Sequence, residues 1–139
     1  MAVPSALPCA AASDAPGVSP DIITVGQIST VTGPVPGLGT SAQAATRAYV
    51  AYRNSTGGVC GRRLELLTAD DGNDNGRYRS TLAELEPRVL GMVGSFATAD
   101  IGGVDIVEAT GIPVVGSAGA TVLQQLPSVF DINPPPAAG

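Results

Sequence analysis

Five short apolar runs set the strongest constraint on how this chain can fold. They are IITVGQI (22–28), RRLELLTA (62–69), VLGMVGS (89–95), IPVVG (112–116) and VFDI (129–132). Each is rich in aliphatic or β-branched residues and bounded by turn formers, the pattern of a short strand. Stretches with helical spacing lie between them. In TSAQAATRAYVAYRNSTGG, Thr40 or Ser41 is placed to cap a helix, and Ala42, Ala45, Tyr49 and Tyr52 share one face. Gly57 or Gly58 offers a left-handed exit. A second helix is expected from Asp74 or Asn75, burying Tyr78, Leu82 and Leu85 and ending at Pro87. A third is expected over 99–110, carrying Ile101, Val104 and Val107 and stopped by Gly111. A short fourth is expected over 121–126.

Strands that are nearly all apolar, each followed by a helix, belong in a sheet covered on both faces. The expected fold class is therefore α/β: a doubly wound, mostly parallel five-stranded sheet with helices on both faces. Residues 1–20 are rich in Ala, Pro and Ser and read as a flexible leader. Residues 21–133 read as the folded unit, and PPPAAG (134–139) runs out as a tail.

Composition removes several functional classes. The chain of 139 residues has a net charge of −5, only 4% aromatic residues and no basic stripe, which argues against nucleic-acid binding. No apolar run approaches the roughly 18 residues needed to span a membrane. The first residues lack the basic start and continuous apolar run of an intact signal peptide. With no histidine, Ser-His-Asp and Cys-His nucleophile systems and most zinc and iron sites are out.

The stretch GGVCGRRLELLTADDGND (57–74) invites a chemical reading. Asp71, Asn73, Asn75 and Gly76 fit the opening of a calcium loop. Its twelfth position, which needs a bidentate carboxylate, is Leu82, and a strand stands where an entering helix is required. The carboxylates read better as the close of a strand and the cap of the next helix. GLGTSA (37–42) fits G-x-G-x-x-A, but a dinucleotide site needs its glycines directly after the strand. Here residues 29–36 intervene, no lysine follows Gly39, and Asp70 is too far along to hold a ribose. Cys9 and Cys60 make no C-x-x-C pair. A disulfide between them is the favoured reading, closing a loop of about 50 residues for roughly 4 kcal/mol in the chain-entropy model. The alternatives are two inert thiols or a lipid-modified Cys9.

Hydroxyl-bearing loops follow three strands: STVTG, GSFATAD and GSAGAT. In an open parallel sheet ligands bind beyond the carboxyl ends of the strands. Helix N-termini there are expected to present free N–H groups suited to a carboxylate, with hydroxyls from Ser95, Thr98, Ser117 and Thr121. The plain alternative is that such residues merely cap and turn. No general base and no G-x-S-x-G elbow accompanies them, so no catalytic residue is assigned.

The order strand, TGP, loop, helix, GGVCGRRLEL, DDGND, helix, VLGMVGSF, helix, GIPVVG, VFDINP resembles the N-terminal part of type I periplasmic solute-binding proteins. The nearest likeness is to the branched-chain amino acid binding proteins of ABC transporters, over about residues 17–136. The resemblance implies an extracytoplasmic, two-lobed receptor, without cofactor or metal, that closes on a small solute such as a leucine-like amino acid or an amide and delivers it to an ABC permease. It further implies first-lobe ligand contacts at Leu38, where an aromatic is frequent, at Ser95, Ala97 and Thr98, where the usual serine pair is missing, and at Ala120 and Thr121. Family members run well over twice this length, so residues 21–133 are expected to be a partial N-terminal lobe and 134–139 a tail ahead of the second lobe. Closure needs both lobes. A nucleotide-binding or enzymatic α/β domain and a ligand-sensing receptor domain of the same fold are the rival readings.

Overall fold

The structure, a computed structural model, describes residues 14–133. Nine regular elements alternate along it: β1 (Ile22–Ser29), α1 (Thr40–Ser55), β2 (Arg63–Asp70), α2 (Asn75–Leu85), β3 (Met92–Phe96), α3 (Val104–Thr110), β4 (Val114–Ser117), α4 (Thr121–Gln124) and β5 (Val129–Asp131). Two 3₁₀ turns, Glu86–Arg88 and Asp100–Gly103, precede β3 and α3. The five strands form one sheet in the order β2-β1-β3-β4-β5, and every pairing is parallel. The chain steps outward from β1 to β2, then crosses back over β1 to β3. With right-handed crossovers this reversal places α1 on one face and the later helices on the other.

The two faces are unequally covered. The main core lies under α2, α3 and α4, where Ile28, Leu82, Met92, Val107 and Leu123 are almost fully buried. Helix α2 forms as its sequence predicts. Asp74 caps it, the Asp74 side chain accepting from Arg77 N–H at 2.6 Å, and Tyr78, Leu82 and Leu85 face inward. Helix α3 ends at Gly111 in the left-handed region (φ 67°).

On the opposite face α1 buries no residue completely. It starts on Gly39, and neither Thr40 nor Ser41 caps it. Tyr49 and Tyr52, expected on its packed face, are 58% and 61% exposed. The helix is instead turned so that Ala42, Thr46 and Val50 approach the sheet. Buried Gln27 explains the turn: its side-chain amide donates to Thr46 Oγ1 (2.9 Å), Ala42 C=O (3.3 Å) and Gly94 C=O (2.6 Å). Gly94 makes the approach possible, since it sits at φ 62° and a Cβ there would collide with Thr46 Oγ1. Strand β2, read from its apolar run as buried, lies at the sheet edge and is only half-buried.

The expected Cys9–Cys60 bridge involves Cys9, which lies outside the described residues. Cys60 sits in the turn before β2 at φ 54°. Ahead of β1, Val18 bridges to Ile23, and Thr24 N–H donates to Gly17 C=O at 2.7 Å. No helix among the described residues is long and apolar enough to cross a membrane.

Candidate functional site

All five strands deliver their carboxyl ends to one edge of the sheet. The switch of direction in the strand order falls between β1 and β3, where an open parallel sheet usually leaves a crevice. Here that point is bridged. Thr30 N–H donates to Phe96 C=O (3.0 Å), Thr98 N–H donates to Thr30 Oγ1 (2.9 Å), and Thr98 Oγ1 donates to Asn73 Oδ1. The open space lies one strand further along. The loops after β3 and β4 border an open cavity of about 410 Å³, lined by Phe96, Thr98, Asp100, Ile101, Ser117 and Gly119, with Ala97 and Ala120. Small residues at 97, 119 and 120 keep this volume empty, while Phe96 and Ile101 add apolar wall.

Asp100 organises the cavity. It is 3% exposed, and its carboxylate accepts Gly119 N–H at 2.6 Å and Ala120 N–H at 3.0 Å. Its own N–H and that of Ile101 also point at it. Burial pushes its pKa above the usual carboxylate value, and these four N–H groups only partly offset that. Asp131, at the end of β5, accepts Ala118 N–H (3.1 Å) and Asn133 N–H (3.1 Å). Asn133 in turn exchanges hydrogen bonds with Ser117 Oγ. Across the edge, Asp70 accepts from the N–H groups of Val31, Thr32 and Gly72 and from the Thr32 hydroxyl. Burial alone would raise its pKa. The four hydrogen bonds outweigh it and hold the carboxyl well below the usual range.

Not all of the residues named from the sequence converge. Ala97, Thr98 and Ala120 line the cavity. Ser95 is buried in the strand, its Oγ 3.4 Å from Ile28 N–H, and Leu38 and Thr121 lie outside the lining. Of the helix N-termini expected to await a carboxylate, those of α1, α3 and α4 carry no side-chain cap; Asp100 holds the Gly119 and Ala120 amides just ahead of α4, and Asp74 caps α2. Sequence reasoning missed Asp100 and Ile101. The only sequence signal for Asp100 was an acidic residue at the start of an expected helix, which reads as a cap for its own helix. In the fold it serves the next loop instead.

A second space of about 400 Å³ lies between α1 and the sheet, walled by Val25, Tyr49, Val50, Leu64 and Val93. It is more apolar, but it sits away from the loops and carries no convergent polar groups, so the edge cavity is the candidate site.

Over residues 22–139 the chain matches the family described as periplasmic binding protein. The chain belongs to the periplasmic binding protein family. Among solved structures, a fatty acid ABC transporter substrate-binding protein from Thermomonospora curvata is 30% identical, with a TM-score of 0.69 over 77% of this chain and 28% of that one. An extracellular ligand-binding receptor from Verminephrobacter eiseniae is 27% identical, with a TM-score of 0.67 over 79% of this chain and 33% of that one. A branched-chain amino acid transporter substrate-binding protein from Streptococcus pneumoniae, solved with isoleucine, shares the fold at 19% identity and a TM-score of 0.67, over 80% of this chain and 33% of that one. This periplasmic binding protein chain thus spans about a third of the length of the structures it matches. Comparison with curated proteins finds no match.

Proposed function

We propose that this chain supplies the first-lobe half of a solute site in an extracytoplasmic receptor of an ABC importer. The cavity between the loops after β3 and β4 is the observation that carries the reading. It stands at the carboxyl edge of a parallel sheet, in a chain of a binding-protein family, and brings an apolar wall together with a few oriented polar groups. Ala97, Thr98 and Ala120 contribute to that half-site directly. Ser95 supports it from within the sheet, and Leu38 and Thr121, outside the cavity lining, are assigned as further ligand contacts of the complete two-lobed site. The role assigned is binding and delivery to a permease, not catalysis.

Residues 21–133 act as the lobe, with 1–20 as leader and 134–139 as tail. A half-site closes only when a second lobe covers it, so this chain alone binds weakly. An amide-resolved NMR titration with leucine, isoleucine, urea, small amides and a medium-chain fatty acid tests the reading. The expected outcome is millimolar binding by at least one solute, with shifts centred on residues 96–101 and 117–120. If no solute moves those residues, or the shifts centre on the space under α1, the proposed site is wrong.

A further inference from the structure

The cavity has an unusual donor balance. The main-chain N–H groups of Phe96, Thr98, Gly119 and Ala120, all on its wall, are directed at acceptors within the chain: Ser29 Oγ, Thr30 Oγ1 and, for the last two, Asp100. Ile101 N–H is also directed at Asp100. The hydroxyls are engaged as well, Thr98 with Asn73 and Thr30, Ser117 with Asn133. Helices α1, α3 and α4 start without a side-chain cap, but of their cap and helical residues only Ala120, the N-cap of α4, lines the cavity, and its N–H is held by Asp100.

The charges point the same way. The chain has no lysine, and no arginine lines the cavity. Arg77, next to the Asp70 loop, stands 3.8 Å from the Asp70 carboxylate. Asp100 is on the wall, and Asp131 holds the same loop from its other side. A carboxylate entering this space would meet carboxylates and engaged donors, with no cation to offset its lost hydration. A group that donates hydrogen bonds faces no such penalty.

Resting on the half-site reading above, we infer that the solute group docked on this lobe is a hydrogen-bond donor without negative charge, of the amide, urea or ammonium class, and that the lobe discriminates against carboxylates. Asp100 is then the specificity-determining residue, occupying from within the chain the amides that an anionic ligand would need.

Three compounds with one branched apolar body separate the head groups: isovaleramide, isoamylamine and isovalerate. Each is titrated into the 139-residue chain and followed at the amides of Thr98, Gly119 and Ala120. The amide or the amine should half-saturate these signals at a concentration at least roughly tenfold below that for isovalerate, a difference of about 1.4 kcal/mol. Isovalerate binding as well as or better than both overturns the inference and leaves the half-site reading standing. Silence from all three at these residues overturns the half-site reading, and the inference with it. Asp100→Asn, with its fold checked from the same spectra, should narrow the gap between isovalerate and isovaleramide. An unchanged gap removes Asp100 from the role. If Asp100→Asn does not fold, the unmodified chain still decides the ligand class.

Discussion

Asp70 and Asp100 are both carboxylates at the carboxyl edge of the sheet, and their surroundings pull them in opposite directions. Asp70 gains four hydrogen bonds to its charged form, so its folded pKa lies below its unfolded value of 3.8. Its contribution to stability is present above that value and is lost as the pH falls through the folded pKa. Asp100 is pushed the other way by burial. From its unfolded value of 3.8 up to its folded pKa the native state holds the proton more tightly, so stability falls as the pH rises through that window. Asp70→Ala leaves the N–H groups of Val31, Thr32 and Gly72 without their acceptor and should destabilise by about 1–3 kcal/mol near neutral pH. Urea unfolding at a series of pH values checks both magnitude and sign, because the difference from the unmodified protein must shrink as the pH falls below about 4. None of this is legible from sequence. ADDGND announces a turn with acids in it, but which acid receives which amide depends on a loop after β1, 38 and 39 positions earlier.

At the scale of the element, the sequence was most legible where the deciding interaction is local. The cap at Asp74, the inward row Tyr78, Leu82 and Leu85, and the stop at Gly111 each depend on residues a few positions apart. Asp74→Ala should cost about 1 kcal/mol through the lost cap, and Leu82→Ala about 2–5 kcal/mol through the lost core contacts and the cavity left behind. Chemical denaturation measures both, and an equal cost for the two would contradict the placement of Leu82 at the centre of the core. Helix α1 was read less well for the opposite reason. Its apolar residues suggest the 42/45/49/52 face, but a buried glutamine from β1 and a glycine from β3 rotate it. Gly94→Ala should therefore destabilise by about 1–3 kcal/mol, by forcing α1 off the sheet and straining a left-handed backbone. Thermal unfolding tests this, and a neutral result would remove Gly94 as the contact point for α1.

At the scale of the whole molecule, coverage of the sheet is lopsided. Three helices close one face, while α1 alone covers the other, over the β2-β1-β3 side. Val93, Val115 and Phe130 stand in register across β3, β4 and β5 on the face they share. Val115 is 44% and Phe130 58% exposed. Apolar residues so exposed contribute little to folding, so Phe130→Ser should change the unfolding free energy by no more than about 0.5 kcal/mol. A large loss in the same denaturation assay would mean that Phe130 is covered in solution. The expected Cys9–Cys60 bridge, one end of which lies outside the described residues, also belongs to this scale. Protein from an oxidising compartment should show no thiol reactive to alkylation until it is reduced, and two free thiols by mass spectrometry would dismiss it.

The sequence by itself determined the class of fold, the order of its elements, the boundaries of α2 and the likeness to solute-binding proteins. These follow from hydrophobic period, turn residues and caps, all short-range along the chain. Only the tertiary structure decided which face of α1 packs, that the crevice between β1 and β3 is bridged by Thr30 and Thr98, and that Asp100 fills the amides ahead of α4. Those outcomes depend on contacts between segments 19 to 68 positions apart. One sequence position carries no record of what such a partner will be, so the chemistry of the site emerges only when the strands bring their loops to a common edge.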